Sequence, residues 1–565
     1  MVPPARRGAA RGPPRGPGPL TRTLTIFHVT DVHARVAARP QSLPGLAGLV
    51  RPDRPHTELF TGLAGIDALL TEEMANLPPG GASMLVCCGD LVGREMATDR
   101  TTRGAITFEA MKLLAQRSGV DASVLVVGNH EVDHGVHRMR ELLADADPFV
   151  VVAGNLSVDG APVSATVVTV DVDGLQVAVL GVTTLQTATE APPDDRPRLG
   201  IKAPVEAARQ ALLAHSAPCD VLLAAVHLFD EQDLAVCSLD GVDLLLGGHT
   251  HARLSGPLGA RGIHREKAGS HGLALGRAVL QIDADGARVV PSLTALLPPD
   301  VAPGSDSPLQ RLHDDAVGVV RSTDPQAATA VARSGWVIGD LDGLRGGEPN
   351  PLGRTVAQGL VDGAGAVSGE AVHCGFANAG NIRMDLVPER SVISLSALHD
   401  TLAYANELVI LELSPALLMR VLRTAVANLK LDLAGWLHTA GLRWAVAADG
   451  SIGDVFVGHD GWTPLQSCDV VRVATLDFLA DGGHHLGFLA AAPCQRTGVK
   501  AADAWSAALH ARRDGDRLPP LLPPPPLSSV DAGFRCTDTQ TVLETLDHAD
   551  PGAFAWALNG QRSGS

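Results

Sequence analysis

An excess of positive charge is the first thing this sequence lacks. Its 565 residues hold 62 Asp and Glu against 45 Lys and Arg, a formal net charge of −17. That sign argues against a nucleic-acid polymer as the main partner. It leaves small anions open, because bound metal ions override the global field locally. Paired thiols are missing as well. Eight Cys are scattered with no CxxC, and Cys87-Cys88 closes an apolar run, so buried thiols are expected and not a disulfide framework. No stretch is apolar for long enough to span a bilayer, so no membrane partner is expected. Arg6-Arg7 lies in a Pro-, Gly- and Ala-rich start with no apolar segment behind it. No export signal is read there, only a disordered basic tail, and a cytoplasmic location is expected. Aromatics are 3% of the chain and Tyr404 is its single tyrosine, so an aromatic inside a polar motif carries weight.

What is present is organised around Gly128-Asn129-His130-Glu131-Val132-Asp133-His134-Gly135. The β-branched run Ser123–Val127 before it reads as a buried strand, and Gly135–Leu143 after it has helical apolar spacing. The polar cluster thus sits at the carboxyl end of a strand, where open α/β sheets place their chemistry. Other apolar runs end the same way. Thr23–Thr30 ends in Asp31-Val32-His33, and Ser83–Cys88 in Gly89-Asp90. Asp220–Val226 ends in His227, and Val242–Leu246 in Gly247-Gly248-His249-Thr250-His251. A helix is expected from Leu59 to Leu77, with others over Phe108–Gln116 and Pro204–Ala214. Strands alternating with helices argue for a layered α/β domain.

Asp31, His33, Asp90, Asn129, His227, His249 and His251 are all metal-ligand types, each at a strand end. Carboxylate and imidazole together suit Zn, Mn or Fe, and the absence of thiolate argues against a structural zinc knot. A carboxylate such as Asp90 can bridge two ions, and two-metal sites of this kind clamp an in-line displacement at phosphorus. His28, inside its strand, reads as a core histidine. Glu131, His134 and His137 read as loop or surface residues.

In sequence order these pieces (DxH, GDxxG, GNHE, a lone His and GGHxH) resemble the calcineurin-like metallophosphoesterases, and GNHEVDHG resembles their bacterial 5'-nucleotidase branch. The resemblance spans about residues 23 to 512. It implies an α/β protein with an N-terminal four-layer α/β/β/α metallophosphoesterase domain and a C-terminal α/β substrate-binding domain. It implies two divalent ions, one held by Asp31, His33, Asp90 and His251, the other by Asp90, Asn129, His227 and His249. Water activated between them attacks phosphorus. His130 stabilises the phosphoryl charge, and Asp133 orients His130 and favours its charged form.

Composition shifts suggest a tail over 1–22, a first domain over 23–298, a linker with a helix over 299–329, a second domain over 330–515, and a Pro-rich spacer and tail over 516–565. In the second domain the resemblance implies a nucleotide pocket: Tyr404 and Phe478 flank a base, Arg383 and Arg345 hold polar groups, and Asn406 and His484 complete the set. The family loop usually reads GGD; here it is Gly482-Gly483-His484. The implied activity is hydrolysis of nucleoside 5'-monophosphates or related small nucleotides. One alternative is a 2',3'-cyclic nucleotide 2'-phosphodiesterase with 3'-nucleotidase activity, a branch that usually has Asn where this chain has Asp133. A non-catalytic metal and nucleotide binder is the other, disfavoured because all seven ligand types are present.

Overall fold

The structure is a computed structural model that describes residues 22–41, 59–94, 96–283, 286–290, 295–296, 307–324, 329–333, 344, 350–383, 392–431, 433–447, 450–458 and 461–512. The chain divides into two compact units after Thr323.

The first unit runs β1 (Arg22–Val29), α1 (Leu63–Ala75), β2 (Ala82–Cys87), α2 (Ala105–Ser118), β3 (Ala122–Val126), α3 (Val136–Ala144), β4 (Phe149–Val152), β5 (Val167–Val172), β6 (Leu175–Thr183), α4 (Pro204–Ala214), β7 (Val221–His227), α5 (Asp230–Cys237), β8 (Leu244–Gly247), β9 (Arg253–Leu258), β10 (Ile263–Ala268), β11 (Leu275–Asp283), β12 (Gly286–Val290) and α6 (Pro308–Thr323), with shorter pieces between. One sheet has the order β12-β11-β1-β2-β3-β4 and the other β9-β10-β8-β7-β6-β5. Strands β1 to β4 are parallel, as are β6, β7, β8 and β10; β11 and β12 in the first sheet and β5 and β9 in the second add antiparallel.

The strands face apolar cores on both sides, and period-two alternation sorts their residues. Leu24, Ile26, Met84, Val86, Val124 and Val126 point between the sheets and meet Val177, Val179, Leu223 and Leu246 of the second sheet. Their neighbours Phe27, Val29, Leu85 and Leu125 point outward, onto Leu63 and Ile66 of α1, Met111 and Leu114 of α2, and Leu309 of α6. Ala208 of α4 and Val236 of α5 cover the far face of the second sheet. The result is the four-layer α/β/β/α arrangement. One expected element divides: the Leu59–Leu77 helix is a short strand, Leu59–Thr61, followed by α1. Gly62 makes the break at φ +86, packed so close that a Cβ there would meet the Ala37 carbonyl oxygen at 2.2 Å.

The second unit contains α7 (Pro351–Ser368), β13 (Cys374–Asn378), α8 (Leu395–Thr401), β14 (Glu407–Leu413), α9 (Pro415–Leu431), β15 (Leu437–Ala440), β16 (Val471–Leu476), α10 (Asp477–Ala480), β17 (Cys494–Lys500) and α11 (Ala501–Arg512). Its main sheet has the order β15-β13-β16-β14-β17. Consecutive residues Leu408, Val409, Ile410 and Leu411 are all buried, so both faces of β14 are covered. Helix α7 opens on an Asn350 cap whose side chain accepts from the Gly353 amide at 3.0 Å. It packs on α11 with no room to spare: a Cβ at Gly359 would stand 2.1 Å from the Trp505 ring. Among the described residues no helix is long and apolar enough to cross a membrane.

Candidate metal centre and substrate pocket

The loops after β1, β2, β3, β7 and β8 bring the seven strand-end residues together. Around the first group, His33 Nε2 lies 3.1 Å from His251 Nε2, and His251 Nε2 lies 3.5 Å from Asp31 Oδ1. Around the second, His227 Nε2 lies 3.1 Å from both Asn129 Oδ1 and Asp90 Oδ2, and His249 joins Asp90 and His227 with its donor atom within 4.8 Å of theirs. Asp90 Oδ2 is also 3.8 Å from His33 Nε2, so this carboxylate reaches both groups.

The loops are fastened to one another. Asp31 and His33 donate backbone N–H bonds to the carbonyls of Gly89 and Asp90 at 2.9 and 3.0 Å, and the Asp31 carboxylate accepts the His249 amide at 3.1 Å. Glycines allow the approach: a Cβ at Gly128 would stand 2.3 Å from Asp90 Oδ1, and one at Gly248 would stand 2.2 Å from Thr30 Oγ1. Asp31, His33, Asp90, His249 and His251 all take positive φ, between 46° and 77°. Such conformations cost roughly 1–3 kcal/mol each and persist where the surroundings over-determine them, typically at functional sites.

This donor set fits a pair of divalent ions. Atoms bound about 2.0–2.2 Å from one ion stand roughly 3–3.5 Å apart, as the His33–His251, His251–Asp31, His227–Asn129 and His227–Asp90 pairs do. His227 Nδ1 is 2.7 Å from the Cys88 carbonyl oxygen, which fixes the tautomer and turns Nε2 toward Asp90. His249 Nε2 is buried with no hydrogen-bond partner among the described residues. The electrostatics are those of a negative nest that draws in positive charge. Burial pushes Asp31 up to about 6. Burial also opposes ionisation of Asp90, but His227, His130 and His33 outweigh it and hold that carboxyl well below its ordinary range. Burial disfavours charge on His227 too, yet Asp90 and Asp31 raise it to about 9.

His130 and Asp133 border the site. The His130 amide donates to Asp90 Oδ1 at 2.8 Å, its ring centroid is 5.0 Å from that of His33, and its Nδ1 is 3.1 Å from Asp133 Oδ2. Sequence reasoning missed Arg94, whose Nε lies 3.3 Å from the same Asp133 oxygen. Glu131, read as a loop or surface residue, lies in the loop but not at the surface. Glu131 is 1% exposed and accepts the amides of Asp90, Leu91 and Gly128 at 3.0, 2.6 and 2.6 Å, stapling the β2 and β3 loops. His134 pairs with buried Asp99 at 2.8 Å, whereas His137 is exposed. His28 is a core residue, 3.2 Å from Glu266. His271, after β10, stands beside His33 and His251; its signal was again a histidine following a strand.

In the second unit, antiparallel pairing of Leu408 with Leu476 puts Tyr404 and Phe478 beyond the same end of the sheet. Both aromatics are partly exposed, 38% and 44%. The Arg383 guanidinium is 6.0 Å from the Tyr404 ring centroid. Asn406 Nδ2 donates to Asn381 Oδ1 at 2.8 Å. His484 Nε2 is 2.9 Å from Asn378 Nδ2, and its ring meets Phe478 edge-on at 5.2 Å. Arg345 lies outside the described residues.

In its four-layer fold and its donor nest the first unit is similar to the metallophosphoesterases, a class of dimetal hydrolytic enzymes. The calcineurin-like phosphoesterase family matches residues 24–253, and the 5'-nucleotidase C-terminal domain family matches residues 337–491. The chain therefore carries a calcineurin-like phosphoesterase domain followed by a 5'-nucleotidase C-terminal domain. A trifunctional nucleotide phosphoesterase protein of Bacillus subtilis is 24% identical over 419 residues, covering 65% of this chain and 27% of that protein, so the chain spans about a quarter of that relative's length. The 5'-nucleotidase precursor of Thermus thermophilus has a similar fold, with a TM-score of 0.66 at 22% identity over 88% of this chain and 99% of that one. So does a sulfate thiohydrolase of the same organism, with a TM-score of 0.63 at 17% identity over 89% and 96%.

Proposed function

We propose that the chain hydrolyses the phosphate monoester of nucleoside 5'-monophosphates or closely related nucleotides. The observation that carries this reading is the position of Asp90, in reach of both His33 and His227, with the His130–Asp133 pair against it. Asp31, His33, Asp90 and His251 would hold one ion, and Asp90, Asn129, His227 and His249 the other. Zn, Mn or Fe there would supply Lewis acidity toward the phosphoryl oxygens and a nucleophile from water. His130 places its outer nitrogen beside the phosphoryl group and offsets charge as the ester bond breaks, while Asp133 keeps the ring turned that way. Tyr404 and Phe478 take the base, Arg383 its polar groups, and His484 stands in for the acid of the usual loop. The nucleotide reading also draws support from the relative named as a nucleotide phosphoesterase.

The test is a substrate panel on metal-stripped protein reloaded with Zn, Mn or Fe. Phosphate release from 5'-monophosphates well above that from 3'- and 2',3'-cyclic nucleotides is expected. Preference for the cyclic compounds would establish the phosphodiesterase alternative. Two bound ions with no turnover of any member would leave only a binding role.

A further inference from the structure

A third imidazole stands against the first ion's ligands, and nothing in the sequence motifs accounts for it. His271 lies in the turn between β10 and β11, and its ring centroid is 5.3 Å from that of His33 and 5.2 Å from that of His251. Donor atoms of the three rings lie within 4.8 Å of one another. The residue is buried at 7% exposure and takes φ +60, the same left-handed conformation as the neighbouring candidate ligands.

Two contacts fix it there. Its backbone N–H donates to the Asp31 carbonyl oxygen at 2.7 Å, which ties the turn to the first ligand loop. Its Nδ1 is 2.8 Å from the Ser270 hydroxyl. Ligating histidines divide their two nitrogens in this way, one to a metal and the other to a polar partner that sets tautomer and ring angle. His33 and His271 are buried and His251 is partly exposed, and all three turn donor atoms toward one small space that a shared cation suits.

We propose that His271 is an additional protein ligand of the ion assigned to Asp31, His33, Asp90 and His251, giving a donor set of three imidazoles and two carboxylates. The inference rests on the two-metal reading above and adds selectivity to it. Imidazole-rich sets suit Zn2+ and Fe2+, whereas oxygen-rich sets suit Mn2+. This position therefore discriminates against Mn2+, while the other, with two imidazoles, discriminates less.

The test uses the full chain, stripped with a chelator and titrated with Zn2+, Mn2+ or Co2+ by calorimetry, with the visible spectrum of the Co2+ form as a second readout. Wild type, His271→Ala, His271→Gln and Ser270→Ala are compared after circular dichroism has shown that each is folded. Wild type should take up two ions. His271→Ala should weaken one of them by about tenfold or more for Zn2+ and less for Mn2+, and it should alter the Co2+ absorption bands. His271→Gln, which offers an oxygen in place of nitrogen, should shift the Zn2+/Mn2+ preference toward Mn2+, and it serves if the alanine variant does not fold. Ser270→Ala should give a smaller loss of the same kind. Two ions bound with unchanged affinities and an unchanged Co2+ spectrum in the His271 variants would overturn this inference alone. A wild type that binds no ion would overturn the two-metal reading and this inference with it.

Discussion

Oδ2 of Asp133 stands 3.1 Å from Nδ1 of His130, and the carboxylate is almost wholly buried. The pair meets the metal nest through a backbone bond to Asp90 and through the His130 ring, which stands edge-on to His33. In the role proposed for it, the ring serves turnover and holds no ion. His130→Ala is expected to lower kcat by about 10²–10³ while metal content by elemental analysis stays at the wild-type value. Asp133→Asn keeps the shape and removes the charge, and a loss of about tenfold is expected. A His130→Ala protein that comes off the column short of metal would show that the ring holds an ion.

Gly128 tests the packing of the nest. A Cβ there would meet Asp90 Oδ1 at 2.3 Å and the Asp90 amide nitrogen at 2.5 Å, so Gly128→Ala must displace the carboxylate that reaches both ion positions. Both ions should bind more weakly, and the far-UV circular dichroism should be unchanged because the strands beneath are untouched. Wild-type affinity for two ions in the alanine variant would mean that Asp90 is not shared between them.

Tyr404 and Phe478 are partly exposed at one end of the second unit's sheet. Stacking on an aromatic ring is worth roughly 1–3 kcal/mol per base. Tyr404→Ala and Phe478→Ala should each raise KM for a nucleotide by about 5- to 150-fold. KM for a small phosphate ester without a base should hardly move. Equal effects on both substrates would assign these rings a purely structural role.

His438 sets a pH limit on the second unit. Its Nε2 donates to the Leu344 carbonyl oxygen at 2.9 Å, and burial, only partly offset by that bond, pushes it from 6.5 down to about 4. The folded state thus resists a proton that the unfolded chain accepts. The stability due to the neutral ring is complete above pH 6.5 and is lost as pH falls toward 4. The loss amounts to about 3 kcal/mol by linkage. Melting of this unit should fall across that window, and His438→Gln should flatten the fall. A melting temperature in the wild type that is level between pH 7 and 4 would refute the assignment.

The convergence of the seven strand-end residues was legible because each follows a buried apolar strand, and parallel strands deliver their ends to one edge. Asp90 and His227 are far apart in the chain, but their strands each end in a polar residue that apolar periodicity makes conspicuous. Glu131 was not legible: its partners are the amides of Asp90, Leu91 and Gly128, which no side-chain pattern advertises. His271 sits outside every spaced motif, and only the turn after β10 carries it to His33. Arg94 follows the GDxxG loop, but its contact with Asp133 depends on how two loops fold over each other. The helix foreseen from Leu59 was cut at Gly62, where the Ala37 backbone leaves no space for a side chain.

The positive φ at Asp31, His33, Asp90, His249 and His251 restricts what natural variation or a designed library can place there. Gly enters that region freely and Asn, Asp and His more readily than other residues, whereas β-branched and bulky residues rarely do. The allowed alphabet is nearly the list of oxygen and nitrogen donors that first-row cations accept. Chain geometry thus filters mutations before coordination chemistry does, and substitutions drawn from those four letters are the ones that can retune the centre without unmaking its loops.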